Sequence, residues 1–544
     1  MLQADSLPAQ PAIVLSDDPV RLYALQAELR KRSPQAGHIL LEAGALSQPA
    51  YHRFLARLHG PRLSLLATNY ARSSIVDSPS VNYVLANLSQ RSDLYYLHPS
   101  FGYLFETFYL KPHRAVYQLK MFTTNTISGP VLTAAELQAQ DDFWRSLTSG
   151  ELAPLLQSRP APARAGKTRQ ADPEPTGVNS NFRAIYSRAL NHFGVEAQRV
   201  GDFKLAGSVF EVALKFNDRN PTALINLEYN RRVQAGDRTS LPPSSNVVER
   251  MKPYGNAFST LLNENGPPDE PSVSYVLAQN FHQASLYRQA AQWLERSLFF
   301  EPTNMSYRIF LISECLHLGL ADNSLALIAD LRARPPVPLT MEDQIDLTRA
   351  EAWAHFGKQN LATAERLLRA AQQQYPREAT PFSTLADIYL FARMTTNALA
   401  VYSDQLKVQP EDFSALINLS ALLIRSGRYA DALPYLERGM KLKPNDPSGL
   451  FNLGLSHLNL AQLTPGKLDA AHLDAALADF LQLSIVAPGA ASAYVNIAEC
   501  YRLKKNKHEA LRFYEKFLAA APKNDPDIPL ARQRIQNLKS GKAD

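Results

Sequence analysis

Cysteine is almost missing from this 544-residue chain: Cys315 and Cys500 are its only two, 185 positions apart. With no CxxC pair and no clustered histidines to complete a zinc shell, a metal or disulfide role is not expected, and each thiol reads as a small buried hydrophobe. No metal and no cofactor are expected. Long apolar runs are also lacking, since no stretch reaches the roughly 18 residues that a membrane-crossing helix requires. The opening MLQADSLPAQPAIVLSDD has neither a basic n-region nor an apolar core, so a soluble, cytoplasmic product is expected. Charge of one sign is scarce too. The 57 Lys and Arg residues against 51 Asp and Glu leave a net charge of only +6, and no basic block stands outside a linker, which argues against a nucleic-acid partner. Catalytic signatures are missing as well: there is no GxSxG, GxxxxGK(S/T), HExxH or Rossmann glycine fingerprint. A non-enzymatic protein is expected.

What the chain does have is hydrophobic content of 45%, enough to bury a large core over a length that suits about three to four domains. Residues 1–155 mix two periodicities. Brief apolar runs at Ala12 to Leu15 and His38 to Leu41 read as buried strands, because they are short, partly β-branched and bounded by turn residues. Helical faces follow at Leu22, Leu25 and Leu29, at Tyr51, Phe54, Leu55 and Leu58, and at Val81, Val84, Leu85 and Leu88. Strand then helix, repeated, predicts a small α/β domain. From Tyr103 to Phe122 the chain turns aromatic and is interrupted at Lys111-Pro112-His113-Arg114, with Tyr117, Leu119 and Met121 alternating with Gln118 and Lys120. That pattern predicts a hairpin with one buried face. A helix over about 134–147 closes the domain.

Residues 156–180 are rich in Pro, Ala and charge and lack an apolar period, as a linker does. A second irregular stretch, 236–271, interrupts the helical region that occupies 181–544.

Ser16-Asp17-Asp18-Pro19 follows the first strand. Paired carboxylates at the carboxyl end of a strand suit a metal ion or sugar hydroxyls. The same residues also read as a helix start, with an aspartate cap and proline in the first turn. His98 and His113 have no nucleophile or ligand-spaced partner in sequence and read as structural. Tyr95, Tyr96, Phe101, Tyr103, Phe105, Phe108 and Tyr109 fit either a packed core or a sugar-stacking platform.

The strongest signal is internal repetition. Pro376, Pro410 and Pro444 are 34 residues apart, as are Pro488 and Pro522, and ten extra residues between Pro444 and Pro488 fall in a loop near 461–474. A small residue stands 12 before each proline and a bulky one 8 before it: Ala290 with Leu294, Ala364 with Leu368, Ala398 with Tyr402, Ala432 with Leu436, Ala476 with Phe480, and Ala510 with Tyr514. Small side chains let two antiparallel helices approach, a bulky one fills the gap, and proline stops the second helix. These offsets, and GRYADALPYLERGMKLKPND at 427–446, resemble the tetratricopeptide repeat family. A divergent unit with Gly194, Ala206, Phe210 and Pro221 and a degenerate one over 305–336 extend the likeness to about eight units, with a capping helix at 526–539.

The family resemblance implies a helical superhelix whose first helices line a concave groove for a protein or peptide partner. One asparagine recurs at the sixth position of that helix: Asn226, Asn418, Asn452 and Asn496. Its amide offers a donor and an acceptor to a peptide backbone. In one glycosyltransferase family bearing these repeats a similar asparagine ladder holds substrate polypeptides, while asparagine is also a common consensus residue at this position. The run from AIVLSDDPVRLYALQAEL through RSDLYYLHPSFGYLFE is similar to the soluble region of bacterial glycosyltransferase-like integral membrane proteins. That likeness implies an alternative, an accessory or split part of such a system outside the cytoplasm, with a membrane-protein or glycan partner.

Overall fold

The structure is a computed structural model that describes residues 2–32, 37–60, 63, 75–98, 101–123, 125–157, 178–239, 252, 254, 257–464 and 466–540. Most of the 156–180 linker, with Arg159, Arg164, Lys167 and Arg169, lies outside the described residues. The chain forms two compact units, Met1–Pro338 and Leu339–Asp544.

The first unit begins with a five-stranded sheet: β1 (Ile13–Ser16), β2 (Ile39–Glu42), β3 (Leu94–Tyr96), β4 (Phe108–His113) and β5 (Val116–Met121), in the order β2-β1-β3-β5-β4. β1 pairs in parallel with β2 and β3, whereas β5 runs antiparallel to β3 and β4. Both predicted strands start one residue late. β3, three residues long, was too short to show a period. Pro112 falls in β4, the edge strand, where a missing N–H costs the ladder least. The hairpin turns at Arg114, whose φ is +55°.

Helices α1 (Leu2–Asp5), α2 (Pro19–Arg32), α3 (Pro49–His59) and α4 (Ser78–Ser89) accompany the sheet. Leu22 and Leu25 of α2 share a core with Val14, Tyr95 and Val116. Leu55 of α3 and Val84, Leu85 and Leu88 of α4 pack with Leu15, Leu41, Tyr96 and Phe108. Alternate residues of β1 and β3 thus feed two cores, as strand geometry requires. Phe54 and Leu58 depart from the face assigned to them, being 54% and 61% exposed. Tyr95 and Tyr96 are core, not a platform.

Then come α5 (Ala134–Ser149), α6 (Ala153–Gln157), α7 (Val178–Val200), α8 (Phe203–Phe216), α9 (Pro221–Gln234), α10 (Phe258–Asn265), α11 (Pro271–Gln283), α12 (Tyr287–Phe300), α13 (Met305–His317) and α14 (Ala321–Ala333). Helices α7–α8, α11–α12 and α13–α14 are antiparallel hairpins. The helix expected to close the α/β domain does something else: Leu137, Trp144 and Leu147 of α5 share a core with Leu190, Phe193 and Phe210 of α7 and α8.

The α/β domain is also keyed into this solenoid through polar contacts. Glu106 accepts from the backbone N–H groups of Arg288 and Gln289 at 2.7 and 3.1 Å, capping α12 from outside its own chain segment. Gln292 donates to Ile127 O at 3.1 Å and Arg199 to Gly129 O at 3.1 Å.

The second unit is α15 (Met341–Gly357), α16 (Leu361–Gln374), α17 (Thr380–Phe391), α18 (Thr395–Val408), α19 (Phe413–Arg425), α20 (Tyr429–Leu442), α21 (Pro447–Ala461), α22 (Ala470–Val486), α23 (Ala491–Leu503), α24 (Lys507–Ala520) and α25 (Ile528–Ser540). The first ten pair as five hairpins. The small residues Ala364, Ala398, Ala432, Ala476 and Ala510 are all wholly buried, and Leu368, Tyr402, Leu436, Phe480 and Tyr514 beside them are at most 3% exposed. The proline period therefore marks a packing rule. It puts a side chain no larger than a methyl where two helices cross, and a large one in the space this opens.

One buried carboxyl breaks the rule of satisfied polar groups. Oδ2 of Asp479 on α22 is buried with no hydrogen-bond partner, and burial pushes its pKa up to about 7. The folded chain therefore keeps a proton that the unfolded chain loses from about pH 4 upward, so stability falls as pH rises from 4 to 7 and then levels off. Asp479→Asn is expected to raise the unfolding midpoint at pH 8 by the equivalent of about 1 to 2 kcal/mol, allowing for the water this partly exposed group still meets, and to change little at pH 4. Thermal melts at both pH values check the sign.

Candidate functional site

In the first unit the segment 265–270, Asn-Gly-Pro-Pro-Asp-Glu, lies against α7 and α9. Its ends join helices, with Gly266 N–H donating to Leu262 O at 3.0 Å and Glu270 O accepting from Ser274 N–H at 2.9 Å, and between them two prolines force an extended path. Side chains of the repeat helices hold that path. Asn265 O accepts from Thr222 Oγ1 at 2.8 Å, Asn191 Nδ2 at 3.1 Å and Asn220 Nδ2 at 3.2 Å. Pro267 O accepts from Asn191 and Asn226 Nδ2, each at 3.0 Å. Asn226 Oδ1 in turn accepts from the Asp269 backbone N–H. One asparagine amide thus grips residues two apart on an extended backbone, donating to one and accepting from the other.

The grip continues at Asp269, which is wholly buried. Its carboxylate accepts from Gln198 Nε2 at 2.8 Å and pairs through both oxygens with Arg296 of α12, the Nη2 contact being 2.6 Å. The Arg296 guanidinium lies over Phe299 and Phe300 at 4.5 and 4.6 Å. Asn230 donates to Gln198 Oε1 at 2.7 Å, fixing that amide's orientation.

Asn226 was expected in an open groove. It is instead fully buried under the chain's own segment. Asn191, Gln198, Asn220, Asn230 and Asp269 were not singled out from sequence. The signal available was Gly266-Pro267-Pro268, a run that must leave backbone carbonyls in need of side-chain donors.

The other three asparagines are in the second unit, each the sixth residue of its helix: Asn418 on α19, Asn452 on α21 and Asn496 on α23. Asn418 is exposed, and Asn452 and Asn496 are partly so. Asn418 Nδ2 reaches Tyr402 Oη at 3.4 Å, a long contact, and Asn496 Nδ2 returns to Ser492 O at 2.8 Å within its own helix. Their positions on the helices match that of Asn226.

The tetratricopeptide repeat family profile matches residues 383–460 and 465–525, the same segments in which the proline-spaced helix hairpins occur. The chain carries tetratricopeptide (TPR) repeats over these residues. Solved structures similar to this chain include YrrB, described as a TPR protein with an unusual peptide-binding site (24% identity, 36% of this chain and 94% of that one, TM-score 0.29). The C-terminal part of a TPR repeat-containing protein from Cytophaga hutchinsonii is another (15% identity, 47% and 98%, TM-score 0.34). A third is PilF of Pseudomonas aeruginosa (18% identity, 37% and 90%, TM-score 0.29). No curated protein matches the chain.

In the α/β domain, Asp18 opens α2 as a cap. Its Oδ1 accepts from Val20 N at 2.9 Å and Arg21 N at 3.3 Å, and its Oδ2 pairs with Arg21 Nε at 3.1 Å. Asp17 accepts from the Tyr96 hydroxyl. The two carboxylates thus have separate partners. Neither carboxylate lines the nearby cavity of about 340 Å³, whose walls include Arg21, His98, Tyr117 and Arg188. Arg188 of α7 is 6% exposed, and burial lowers its pKa to about 10. His98 lies 3.1 Å from Ser16 Oγ, and His113 sits edge-on to Tyr95. No helix among the described residues is long and apolar enough to cross a membrane.

Proposed function

We propose that this protein is an interaction scaffold whose second unit captures an extended polypeptide along α19, α21 and α23, with Asn418, Asn452 and Asn496 gripping its backbone. The supporting observation is internal: Asn226, at the same helix position, already holds Pro267 O and Asp269 N of an extended segment. An amide that donates and accepts in this way reads main chain, so it tolerates varied side chains in the guest. The exposure of Asn418 and the part-exposure of Asn452 and Asn496 leave amide atoms able to reach such a guest.

The test uses the full chain. Peptides selected on it from a random displayed library are titrated against the wild type and the Asn418→Ala/Asn452→Ala/Asn496→Ala variant. Binding is expected to weaken at least tenfold, about 1.4 kcal/mol shared over three amides, with the far-ultraviolet dichroism unchanged. Equal affinity for both proteins would remove the groove assignment. A glycan or membrane-protein partner has no support in the repeats or the family match.

A further inference from the structure

Histidines that are far apart in the sequence meet at one end of the first unit's helices. His282 is the penultimate residue of α11, and Glu314 and His317 occupy the last turn of α13, one helical turn apart. One donor atom from each of the three lies within 4.8 Å of the others. His282 Nδ1 is 2.8 Å from Glu314 Oε1. We propose that His282, Glu314 and His317 form a binding site for a divalent transition metal, with zinc as the ion the donor set fits.

Two imidazole nitrogens and one carboxylate oxygen are a common zinc triad, and they leave one of four tetrahedral positions open for water or an incoming ligand. Hard cations are poorly served, because calcium and magnesium take nearly all their ligands as oxygen. Zinc bonds of about 2.0 to 2.2 Å place neighbouring donors about 3.3 Å apart. The donor atoms, now within 4.8 Å of one another, would have to draw together to that spacing when the ion binds.

An independent observation concerns Glu314. The residue is wholly buried, yet its Oε2 has no hydrogen-bond partner. A simple His–Glu ion pair accounts for Oε1 and His282. It explains neither the orphan oxygen nor the approach of His317.

Aromatic neighbours hold both ring planes. Tyr287 stacks on His317 with centroids 4.4 Å apart and planes 12° from parallel. Phe310 and Tyr287 stand edge-on to His282 at 5.4 and 5.7 Å. His317 is exposed and His282 partly so, which gives the ion a route from solvent. Bound there, zinc joins α11 to α13, the first helices of successive hairpins.

The experiment uses the full chain stripped with a chelator and dialysed against zinc, with metal content read by mass spectrometry and affinity by competition with a chromophoric chelator. The wild type is expected to retain one zinc per chain above the weak binding common to all variants. His317→Ala, a surface change, and Glu314→Gln, which keeps the shape and a contact to His282, should each lower the affinity at least tenfold. Cobalt(II) in the wild type should show the visible absorption of a four-coordinate site, lost in His317→Ala. If Glu314→Gln misfolds, His317→Ala alone decides. Retention of zinc by His317→Ala at the wild-type level, or no stoichiometric zinc in the wild type, overturns the proposal.

Discussion

Asp269→Ala is expected to lower the stability of the first unit by about 3 to 5 kcal/mol, because it leaves the Arg296 guanidinium buried without its counter-charge. Asp269 is wholly buried and the Arg296 side chain is 11% exposed. Gln198, which donates to both the carboxylate and the backbone carbonyl of Asp269, would lose part of its anchoring as well. The segment 265–270 should then leave α7 and α9 more often, so amide exchange there should accelerate more than in the α/β sheet. A second replacement separates the causes. In Asp269→Ala/Arg296→Met no lone charge remains, and a large share of the loss should be recovered. Denaturant titration of the two variants, with exchange followed by mass spectrometry, gives both readings. An Asp269→Ala chain as stable as the wild type would mean that the segment is held by its asparagine contacts alone.

The second large effect is expected at the crossing of α21 and α22. Phe480 is wholly buried, and its ring lies against Gly454 so closely that a Cβ built there would meet ring atoms at 2.8 to 3.0 Å. Phe480→Ala removes most of a buried aromatic and leaves a cavity in a helical hairpin, costing about 3 to 5 kcal/mol. Gly454→Ala in the wild type should also destabilise, since the ring has to move, although alanine is the better helix former by about 1 kcal/mol. In the Phe480→Ala background the same change should turn neutral or stabilising, because the methyl enters vacated space and the helix preference remains. Urea midpoints for the four proteins of this cycle measure the coupling directly. Additive effects would contradict the ring contact.

The period of the solenoid was legible because it is written in residue sizes. A proline that ends each second helix, an alanine 12 before it and a bulky residue 8 before it are local demands of one helix crossing, and each repeat has to meet them again. The α/β domain was partly legible for the same reason: β1 and β2 carry apolar runs, and α2 and α4 carry helical faces. β3 was not, since three residues cannot display a period. The exposed Phe54 and Leu58 show that an apolar face does not by itself say which of its residues meets the core.

The sequence determined the helical hairpins, the asparagine position within them and the presence of a sheet domain, because each follows from contacts near in the chain. Only the tertiary structure decided that α5 belongs to the core of α7 and α8, and that Glu106 caps α12. It also decided that Asn226 is spent on residues 267 and 269, and that His282 meets Glu314 and His317. These depend on how far a connecting segment turns back. Composition does not encode that path; it is set by which buried polar groups find a partner when the helices close.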